Sequence, residues 1–290
     1  MSMRKLLITG ASGFVGKEIL KKVINLYEIN AVVRNPDKLK DFSNKIKIWD
    51  SKIHDINFFS DIIKKINPDY VINLVGILKE TKTQTYQNTN YLYSKNLYES
   101  LKNSNVKKII HMSALGTSKN SLSKYHKTKY LAEEELKKLN IDYIIFRPSF
   151  ISGKNQLIFR KLNFFSRFFP FFIFPDIEYY FQPVDIDDVV ECFIKAIETE
   201  HTGTFNLCGM EKVSFKELIK KYLELINRKV LFFPFKKDLL KYIKKDFYFM
   251  MHKNNTCDEN ENYPNGVLEL LKRNPLSYSK SLEKIRSKLW

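Results

Sequence analysis

Three glycines at intervals of three follow the first apolar segment of the chain. Lys5–Thr9 has the composition of a short buried strand, and Gly10, Gly13 and Gly16 come directly after it, where a helical pattern begins. In that setting the first glycine allows a tight turn, the second lets the backbone approach a pyrophosphate, and the third lets helix and strand pack closely. The N–H groups at the start of the helix would then meet the phosphates. The turn predicts dinucleotide contacts at Thr9, Gly10, Ser12, Gly13, Phe14, Val15 and Gly16.

Short apolar runs alternate with longer amphipathic runs through the first half of the chain, which predicts strands interleaved with helices. The predicted strands are 5–9, 30–34, 46–49, 70–75, 108–113 and 143–147. The predicted helices are 16–26, 58–66, 91–104 and 125–139. Strands and helices in this rhythm are typical of an α/β fold with a doubly wound parallel sheet, the Rossmann arrangement.

The rhythm changes after Ser149. An aromatic stretch comes first, and a helix at 186–197, a strand at 203–207 and a helix at 214–226 follow it. We therefore predict a NAD(P)-binding core over residues 1–153 and a smaller C-terminal lobe over 154–290, with core elements returning at about 182–210. The lobe would bind substrate or a partner, but no motif in it identifies the small molecule.

Charge, cysteines and hydropathy exclude several classes of protein. The chain has 49 Lys and Arg against 32 Asp and Glu, but these cations are dispersed and carry no recognition motif, which disfavours nucleic acid as a partner. Cys192, Cys208 and Cys257 are too few for a disulfide framework and lack metal-ligand spacing, so we expect no metal site and a reducing compartment. No apolar run is long enough to span a membrane and no targeting segment is visible, which predicts a cytoplasmic protein.

The stretch from Leu157 to Phe181 is rich in phenylalanine and has basic residues among the rings. Three interpretations remain open: core and lid packing of the lobe, a pocket for an apolar substrate, or a contact with a membrane surface or partner subunit. The third would use Phe164 to Phe174 and would hold the protein peripherally at the inner face of a membrane.

The second predicted strand ends at Arg34, near the expected position of the cofactor ribose. NAD-dependent proteins usually place Asp or Glu there, whereas a guanidinium forms forked hydrogen bonds with the 2′-phosphate of NADP. Arg34, with Asn35 next to it, therefore favours NADP(H) over NAD(H). The alternative is a solvated arginine that pairs with Asp37.

Ser113, Tyr125 and Lys129 form a second motif. Tyr125 and Lys129 are four residues apart on one face of the helix after the fifth strand, and Ser113 ends that strand. This combination and the glycine spacing resemble the short-chain dehydrogenase/reductase superfamily in its extended and atypical branches. The resemblance implies that Tyr125 transfers a proton at the substrate oxygen and that Ser113 polarises the substrate. It also implies that Lys129 lowers the pKa of Tyr125 and holds the nicotinamide ribose.

Further segments resemble the same superfamily. The segment after the fourth strand resembles its cofactor-contact loop, the asparagine before the next helix resembles one that supports the active site, and the turn after the sixth strand resembles one that lies over the nicotinamide. The contacts that this resemblance implies are Leu74, Val75, Gly76, Asn90, Lys129, Pro148 and Ser149.

Residues 181–189 and 204–209 resemble one atypical subgroup, that of the nucleotide-binding accessory subunit of respiratory complex I and its bacterial relatives. Many members of that subgroup hold NADPH without turnover, whereas the bacterial relatives are epimerase/dehydratase-like. Two hypotheses follow from this resemblance. One is an NADPH-dependent oxidoreductase or epimerase that acts on a carbonyl or secondary alcohol; the other is a structural or redox-sensing subunit of a membrane complex.

Two features depart from the superfamily pattern. The family often places an aspartate near the adenine, but here Lys52 stands at the counted position, with Asp50 and Asp55 on either side. The gap between Ser113 and Tyr125 is shorter than in sugar-nucleotide epimerases, which argues against sugar-nucleotide chemistry.

Overall fold

The computed structural model describes residues 3–51, 55–258 and 262–287, which fall into two compact units. The first unit comprises the residues up to Arg147 together with Val190–Phe205, and the second comprises Pro148–Val189 with the residues from Asn206 on. The boundary predicted at residue 153 lies inside the second unit, because the first unit ends with the sixth strand of its sheet.

Strands and helices alternate through the first unit, as predicted. The strands, in chain order, are β1 (Lys5–Thr9), β2 (Glu28–Val33), β3 (Lys47–Asp50), β4 (Tyr70–Asn73), β5 (Lys108–Met112), β6 (Asp142–Pro148), β7 (Ile151–Ser152), β8 (Phe171–Asp176), β9 (Tyr180–Phe181), β10 (Val184–Asp185), β11 (Gly203–Leu207), β12 (Val213–Ser214) and β13 (Leu231–Lys236). The α-helices are α1 (Phe14–Val23), α2 (Ile56–Ile66), α3 (Tyr93–Leu101), α4 (Lys124–Lys137), α5 (Leu157–Phe165), α6 (Ile186–Glu198), α7 (Phe215–Leu225), α8 (Leu240–Ile243), α9 (Lys245–Met250), α10 (Gly266–Leu271) and α11 (Tyr278–Ser287). Short 3₁₀ segments span Pro36–Phe42 and Lys237–Leu239, and a π-helical segment spans Gln87–Leu92.

Within the described ranges, no helix has both the length and the apolar composition needed to cross a bilayer.

The main sheet has the strand order β3-β2-β1-β4-β5-β6-β11, and the neighbours from β3 to β6 pair in parallel. Leu6, Leu7 and Ile8 of β1 are fully buried, as expected for a central parallel strand with both faces covered. The chain order reverses on the two sides of β1, and the carboxyl ends of strands at such a reversal form a crevice. The predicted doubly wound parallel sheet is therefore confirmed.

Side-chain caps determine where two helices of this unit begin. Asp55 Oδ1 accepts a hydrogen bond from Phe58 N at 2.8 Å at the start of α2. Ser123 Oγ accepts one from His126 N at 3.4 Å at the start of α4. Such caps satisfy N–H groups that have no partner inside the helix. The Ser123 cap therefore places Tyr125 in the first turn of α4.

Aromatic packing forms the core of the second unit. The ring of Phe159, on α5, stacks on that of Tyr222, on α7, with 4.1 Å between centroids. Tyr278 Oη donates a hydrogen bond to Leu218 O at 2.7 Å, which ties α11 to α7. β8 and β13 form a two-stranded parallel ribbon in this unit. The aromatic stretch, which has no clear periodicity, thus supplies a helix and a strand that the sequence pattern did not separate.

A disulfide joins Cys208 to Cys257 in the second unit, with the two Cα atoms 6.1 Å apart. Cys192 is a buried free thiol. The expectation of reduced cysteines missed this bridge, because a separation of 49 residues gives no spacing signal. Close to the bridge in sequence, Asn255 offers two acceptors to the single proton of Ser149 Oγ, with Oδ1 at 2.7 Å and the backbone oxygen at 2.8 Å.

Candidate dinucleotide cleft and catalytic residues

The glycine turn between β1 and α1 leaves no room for a side chain at two positions. Gly10 has a φ of +74°, and a Cβ there would lie 3.0 Å from the carbonyl carbon of Leu74. A Cβ on Gly16 would lie 2.6 Å from Gly10 O, a separation that real Cβ atoms do not show. Gly10 therefore permits the turn beside the end of β4, and Gly16 permits the close packing of α1 against that turn.

The N-terminus of α1 is free of side-chain caps. Its capping residue is Gly13, which is extended (φ −76°, ψ 179°) and has no side chain to offer, and the first turn of the helix carries no acidic residue. The first N–H groups of a helix lack intrahelical partners and carry partial positive charge. This end of α1 is therefore suited to an anionic group such as a pyrophosphate.

A cleft opens at the carboxyl ends of β1, β2 and β4, where the strand order reverses. Seven residues predicted to contact the cofactor line this cleft: Gly10, Ser12, Gly13, Arg34, Leu74, Val75 and Gly76. Six lining residues were not predicted: Val32, Val33, Lys38, Ser51, Thr89 and Tyr93. Ligands of doubly wound sheets bind at this kind of crevice, and the glycine turn gives the cleft a backbone surface suited to phosphate.

Other predicted contacts of the first unit support the walls. Seven described residues of this unit that were predicted to contact the cofactor do not line the cleft: Thr9, Phe14, Val15, Gly16, Asn35, Asn90 and Lys129. The Thr9 hydroxyl donates a hydrogen bond to Asn73 Oδ1 at 2.8 Å, which joins the ends of β1 and β4. Asn35 Oδ1 accepts one from Asp37 N at 3.0 Å and so caps the 3₁₀ segment after β2.

Two cations, Arg34 and Lys38, line the cleft beyond the end of β2. Asp37 pairs with Lys40 instead, with 3.3 Å between Lys40 Nζ and Asp37 Oδ1. Across residues 3–51, 55–258 and 262–287, no carboxylate forms an ion pair with Arg34 or Lys38. The alternative in which Asp37 neutralises Arg34 therefore finds no support, and both cations are available to a phosphate.

After β3 the wall of the cleft contains a serine, Ser51, and neither of the two aspartates next to the expected adenine position. Ser51 is buried and lines the cleft. Asp50 is exposed at the end of β3, and Asp55 caps α2; neither is among the lining residues of the described chain. Lys52 lies outside the described residues. An adenine in this cleft would thus find the Ser51 hydroxyl rather than either of these carboxylates.

Lys129 is buried at the carboxyl ends of β4 and β5. Its Nζ donates hydrogen bonds to Val75 O at 3.1 Å and to Met112 O at 2.9 Å. A Cβ on Gly76 would lie 2.8 Å from Nζ, so a larger residue at position 76 would require the end of this lysine side chain to shift. Burial lowers the pKa of Lys129 to about 8, and Glu133 opposes that shift. In most molecules Lys129 is therefore still protonated and charged at neutral pH.

The Tyr125 side chain is 8% exposed and packs against the rings of Tyr86 and His126, at centroid distances of 5.9 and 5.0 Å. Its hydroxyl has no hydrogen-bond partner among the residues described. Burial raises the pKa of Tyr125, so the lowering by Lys129 that the resemblance implied is not observed. The hydroxyl is therefore protonated at neutral pH.

Ser113 and Asn90 lie in the same unit. Ser113 Oγ donates a hydrogen bond to Thr117 Oγ1 at 3.4 Å and is buried. Asn90 Oδ1 accepts one from Ile77 N at 2.9 Å, and its Nδ2 donates to Thr128 Oγ1 at 3.4 Å. Asn90 thus ties the loop after β4 to α4. In the described part of the chain, no hydrogen bond links Ser113 directly to the predicted tyrosine or lysine.

Pro148 and Ser149 belong to the second unit, so their contact with a nicotinamide stays a prediction. The described residues also contain no group of three His, Cys, Asp or Glu side chains placed to hold a metal ion.

A buried polar network continues below the sheet ends. Asn73 Nδ2 donates to Tyr98 Oη at 2.9 Å, and that oxygen lies 2.7 Å from His111 Nδ1. Burial holds the pKa of His111 well below its ordinary value, and nearby Lys129 and Arg147 act in the same direction. His111 is therefore neutral in the folded protein.

A family model described as NAD(P)H-binding matches residues 10–160, which include the glycine turn, the cleft and α4. The match covers more than half of the chain. The chain belongs to the NAD(P)H-binding family. The matched residues include most of the first unit, with its glycine turn and the cleft beside it.

Curated relatives of this NAD(P)H-binding chain include a subunit of a respiratory dehydrogenase and a bacterial reductase. Subunit 9 of the NADH dehydrogenase 1 alpha subcomplex is 28% identical over 193 residues in the mouse, 64% of this chain and 49% of that protein. The rat protein is 25% identical over 83% of this chain and 66% of its own length. This chain therefore spans about half to two thirds of these relatives. The dTDP-4-dehydro-6-deoxyglucose reductase of Escherichia coli is 29% identical over 79% of this chain and 84% of its own length.

Solved structures of the same fold include two sugar-nucleotide epimerases. The UDP-glucuronic acid 4-epimerase of Bacillus cereus, in complex with UDP-glucuronic acid and NAD, superposes with a TM-score of 0.74 at 18% identity, over 99% of this chain and 100% of that one. The UDP-glucose 4-epimerase of Thermotoga maritima gives the same TM-score at 20% identity, with the same coverage. At these identities the likeness concerns the fold alone.

Two of the unpredicted lining residues had a signal in the sequence. Pro36 starts a helical turn that brings Lys38 towards Arg34. Tyr93 follows Asn90 by three residues in a helical pattern, so both belong to one face. Tyr93 is 3% exposed and its hydroxyl bonds to nearby side chains, which keeps it on the wall of the cleft.

Proposed function

We propose that the cleft of the first unit binds NADP(H) in preference to NAD(H). The observation that carries this proposal is the pair of unpaired cations, Arg34 and Lys38, on the wall after β2 of a cleft that also contains the glycine turn. A 2′-phosphate adds two negative charges that a guanidinium and an ammonium can both neutralise. An NAD-specific site would place a carboxylate at this strand end.

We further propose that the protein is an NADPH-dependent oxidoreductase or epimerase that acts on a carbonyl or secondary alcohol. When bound, the dinucleotide supplies the hydride donor or acceptor. Tyr125 would supply the proton to the substrate oxygen from Oη. Burial raises the pKa of Tyr125 and so opposes this transfer, which means that the phenolate must be stabilised when the proton leaves. Ser113 would donate a hydrogen bond to the same oxygen.

Proton transfer from Tyr125 leaves a phenolate, which needs a cation because burial disfavours its charge. Lys129 is the candidate, since its ammonium is buried on the same helix and is still charged at neutral pH. The same ammonium would hold the nicotinamide ribose. In this role the two backbone carbonyls on Nζ position the lysine before any ligand arrives.

Replacement of Tyr125 by Phe tests this mechanism. In a screen of carbonyl substrates, followed by the absorbance of NADPH, Tyr125→Phe should lower kcat about 100- to 10,000-fold, because the proton donor is lost. NADPH affinity should stay unchanged. Tyr130→Phe is the matched control on the same helix and should keep full turnover, since Tyr130 bonds to Glu134 and is not part of the predicted Ser113, Tyr125 and Lys129 site. Turnover that survives in Tyr125→Phe means that another group supplies the proton.

A second candidate function is an accessory subunit of a respiratory membrane complex that holds NADPH without turnover. Two observations favour it: the mammalian relatives are complex I subunits, and Tyr125 has a raised pKa and no hydrogen-bond partner among the described residues. In this role the dinucleotide would stabilise the fold or report the redox state, and the protein would dock at the inner face of the membrane.

The size of the native particle separates the two candidates. In a gently solubilised extract of the source organism, the accessory subunit would migrate with a large membrane-derived assembly. The enzyme would migrate as a monomer or small oligomer. Migration at the smaller size in both detergent-solubilised and detergent-free extracts would exclude the subunit role.

A further inference from the structure

The ribbon formed by β8 and β13 has apolar side chains on both faces. Phe172 and Phe232 pack against the core of the second unit. On the alternate positions, Phe171 pairs with Leu231 and Ile173 pairs with Phe233. These four side chains are 44%, 66%, 69% and 53% exposed, in that order. Alternate residues of a strand lie on opposite faces, and the outward face of a soluble ribbon is normally polar.

Further exposed rings lie at the end of α5 and in the residues between α5 and β8. Four phenylalanines there are between 44% and 66% exposed: Phe164, Phe165, Phe168 and Phe169. Their rings contact each other rather than the core, with centroids 5.4 Å apart for Phe164 and Phe168. The segment then runs directly into β8, where Leu231 N donates to Pro170 O at 2.9 Å. We call these four rings and the four exposed ribbon residues the aromatic surface.

Basic residues accompany the aromatic surface with almost no acidic ones. Residues 157–175 contain three basic residues and no acidic one, and residues 228–245 contain seven basic residues and one acidic one. Arg167, Lys241, Lys244 and Lys245 are exposed, and no ion pair within the described chain involves them. The cations are therefore free to meet anionic groups outside the protein.

We propose that the aromatic surface docks the second unit on an anionic lipid bilayer, with the rings in the interface and the lysines at the phosphate headgroups. Eight exposed apolar side chains from one segment of chain and the strand paired with it are the kind of surface that marks an interaction site. Lysine is depleted in protein–protein interfaces but gains free energy beside anionic lipid, so the flanking lysines favour a bilayer over a protein partner. The inference deepens the second candidate function, but it requires nothing of the cleft.

Vesicle sedimentation tests the proposal on the full-length protein. The protein should sediment with phosphatidylcholine vesicles that contain phosphatidylglycerol, and binding should weaken at high salt and with phosphatidylcholine alone. Lys241→Glu/Lys244→Glu/Lys245→Glu should weaken binding at least about tenfold, since it reverses three charges next to the surface. Phe171→Ser/Phe233→Ser should weaken it by a similar factor, because the inserted rings are lost.

Matched variants in the first unit are the controls. Lys64→Glu/Lys65→Glu changes two exposed lysines of α2, and Leu122→Ser changes a leucine that is 67% exposed; both should sediment like the wild type. Urea unfolding of each variant reports that the chain is folded without reference to the cleft. Failure of the cleft proposal, read from NADPH titration, is thus separate from failure of this one.

Three results would overturn the proposal. The first is no sedimentation with anionic vesicles at low salt. The second is equal binding to neutral vesicles with no effect of the lysine variant. The third is a dimer in sedimentation velocity that Phe171→Ser/Phe233→Ser dissociates while vesicle binding is absent, which would assign the surface to a second copy of this chain.

Discussion

The cleft of the first unit exposes backbone groups, whereas the aromatic surface of the second unit exposes side chains. In the cleft, glycines remove side chains, so that backbone N–H groups face the ligand. On the aromatic surface, side chains dominate: Phe168 and Ile173 are 66% and 69% exposed. The cleft is suited to a small, highly charged ligand, and the surface to an extended apolar one.

The two regions should therefore respond differently to substitution. In the cleft, geometry leaves almost no tolerance, because the added Cβ of a single alanine collides with backbone. On the aromatic surface many side chains share the contact, so that single changes have small effects and charge reversals larger ones.

Gly16→Ala should have the largest effect. Its Cβ would lie 2.6 Å from Gly10 O and 2.7 Å from Ala11 O, so α1 must move away from the turn. We expect a loss of about 3 kcal/mol in the free energy of unfolding, at the upper end for overpacking. NADPH affinity should fall more than about 100-fold, since the phosphate-facing N–H groups shift with the helix. Urea unfolding measures the change in the free energy of unfolding, and calorimetric titration measures the change in NADPH affinity.

Gly13→Ala is the matched control for stability. The Cβ on Gly13 would meet only Gly10 O, at 3.2 Å, so the unfolding free energy should fall by about 1 kcal/mol or less. If both alanine variants lose the same stability, close packing at Gly16 is not what the motif requires.

The contrast between the regions also explains which parts of the molecule could be predicted from sequence. The strands and helices up to Pro148 follow from apolar periodicity, and the glycine turn follows from its place behind β1. Periodicity gave no help in the aromatic stretch, because almost every position is apolar whether it faces the core, as Phe172 does, or solvent, as Phe171 does. The Cys208–Cys257 bridge depends on tertiary contacts between residues 49 apart.

The residues of the candidate site were predictable where a local sequence motif determines their position. Gly10, Arg34 and Gly76 line the cleft as local motifs indicated. The pKa of Tyr125 was not predictable from its spacing to Lys129, because burial and not the spacing determines the shift. The lysine instead bonds to backbone oxygens that only the folded sheet brings together.

Acidification should destabilise the first unit through its buried histidines. Burial lowers the pKa of His126 to about 4, and its ordinary value is 6.5. The unfolded chain therefore takes up a proton between these values that the folded protein does not. The stability present above pH 6.5 is lost progressively as the pH falls towards 4. From pH 7 to pH 5 we expect a loss of about 2 kcal/mol from His126.

Urea unfolding at the two pH values, followed by the fluorescence of Trp49, measures this loss. His126→Gln should reduce the difference between pH 7 and pH 5, whatever its effect on stability at pH 7. A difference that His126→Gln leaves unchanged would mean that the buried histidine does not control acid sensitivity.

Arg34→Ala should have a smaller effect than Gly16→Ala or the acidification that protonates His126. The variant keeps the glycine turn and loses one of two cations, so NADPH should bind about tenfold more weakly, while NADH affinity stays the same. Lys40→Ala is the control, because Lys40 pairs with Asp37 and does not line the cleft. Equal losses for NADPH and NADH would show that Arg34 does not contact the 2′-phosphate.

The most direct test of the account is calorimetric titration of the full-length protein with NADPH and with NADH. We predict one binding site per chain, with NADPH at least about tenfold tighter than NADH, because two unpaired cations face the position of the 2′-phosphate. NADH binding that equals or exceeds NADPH binding would contradict the assigned preference. Absence of binding of either dinucleotide would contradict the assignment of the cleft itself.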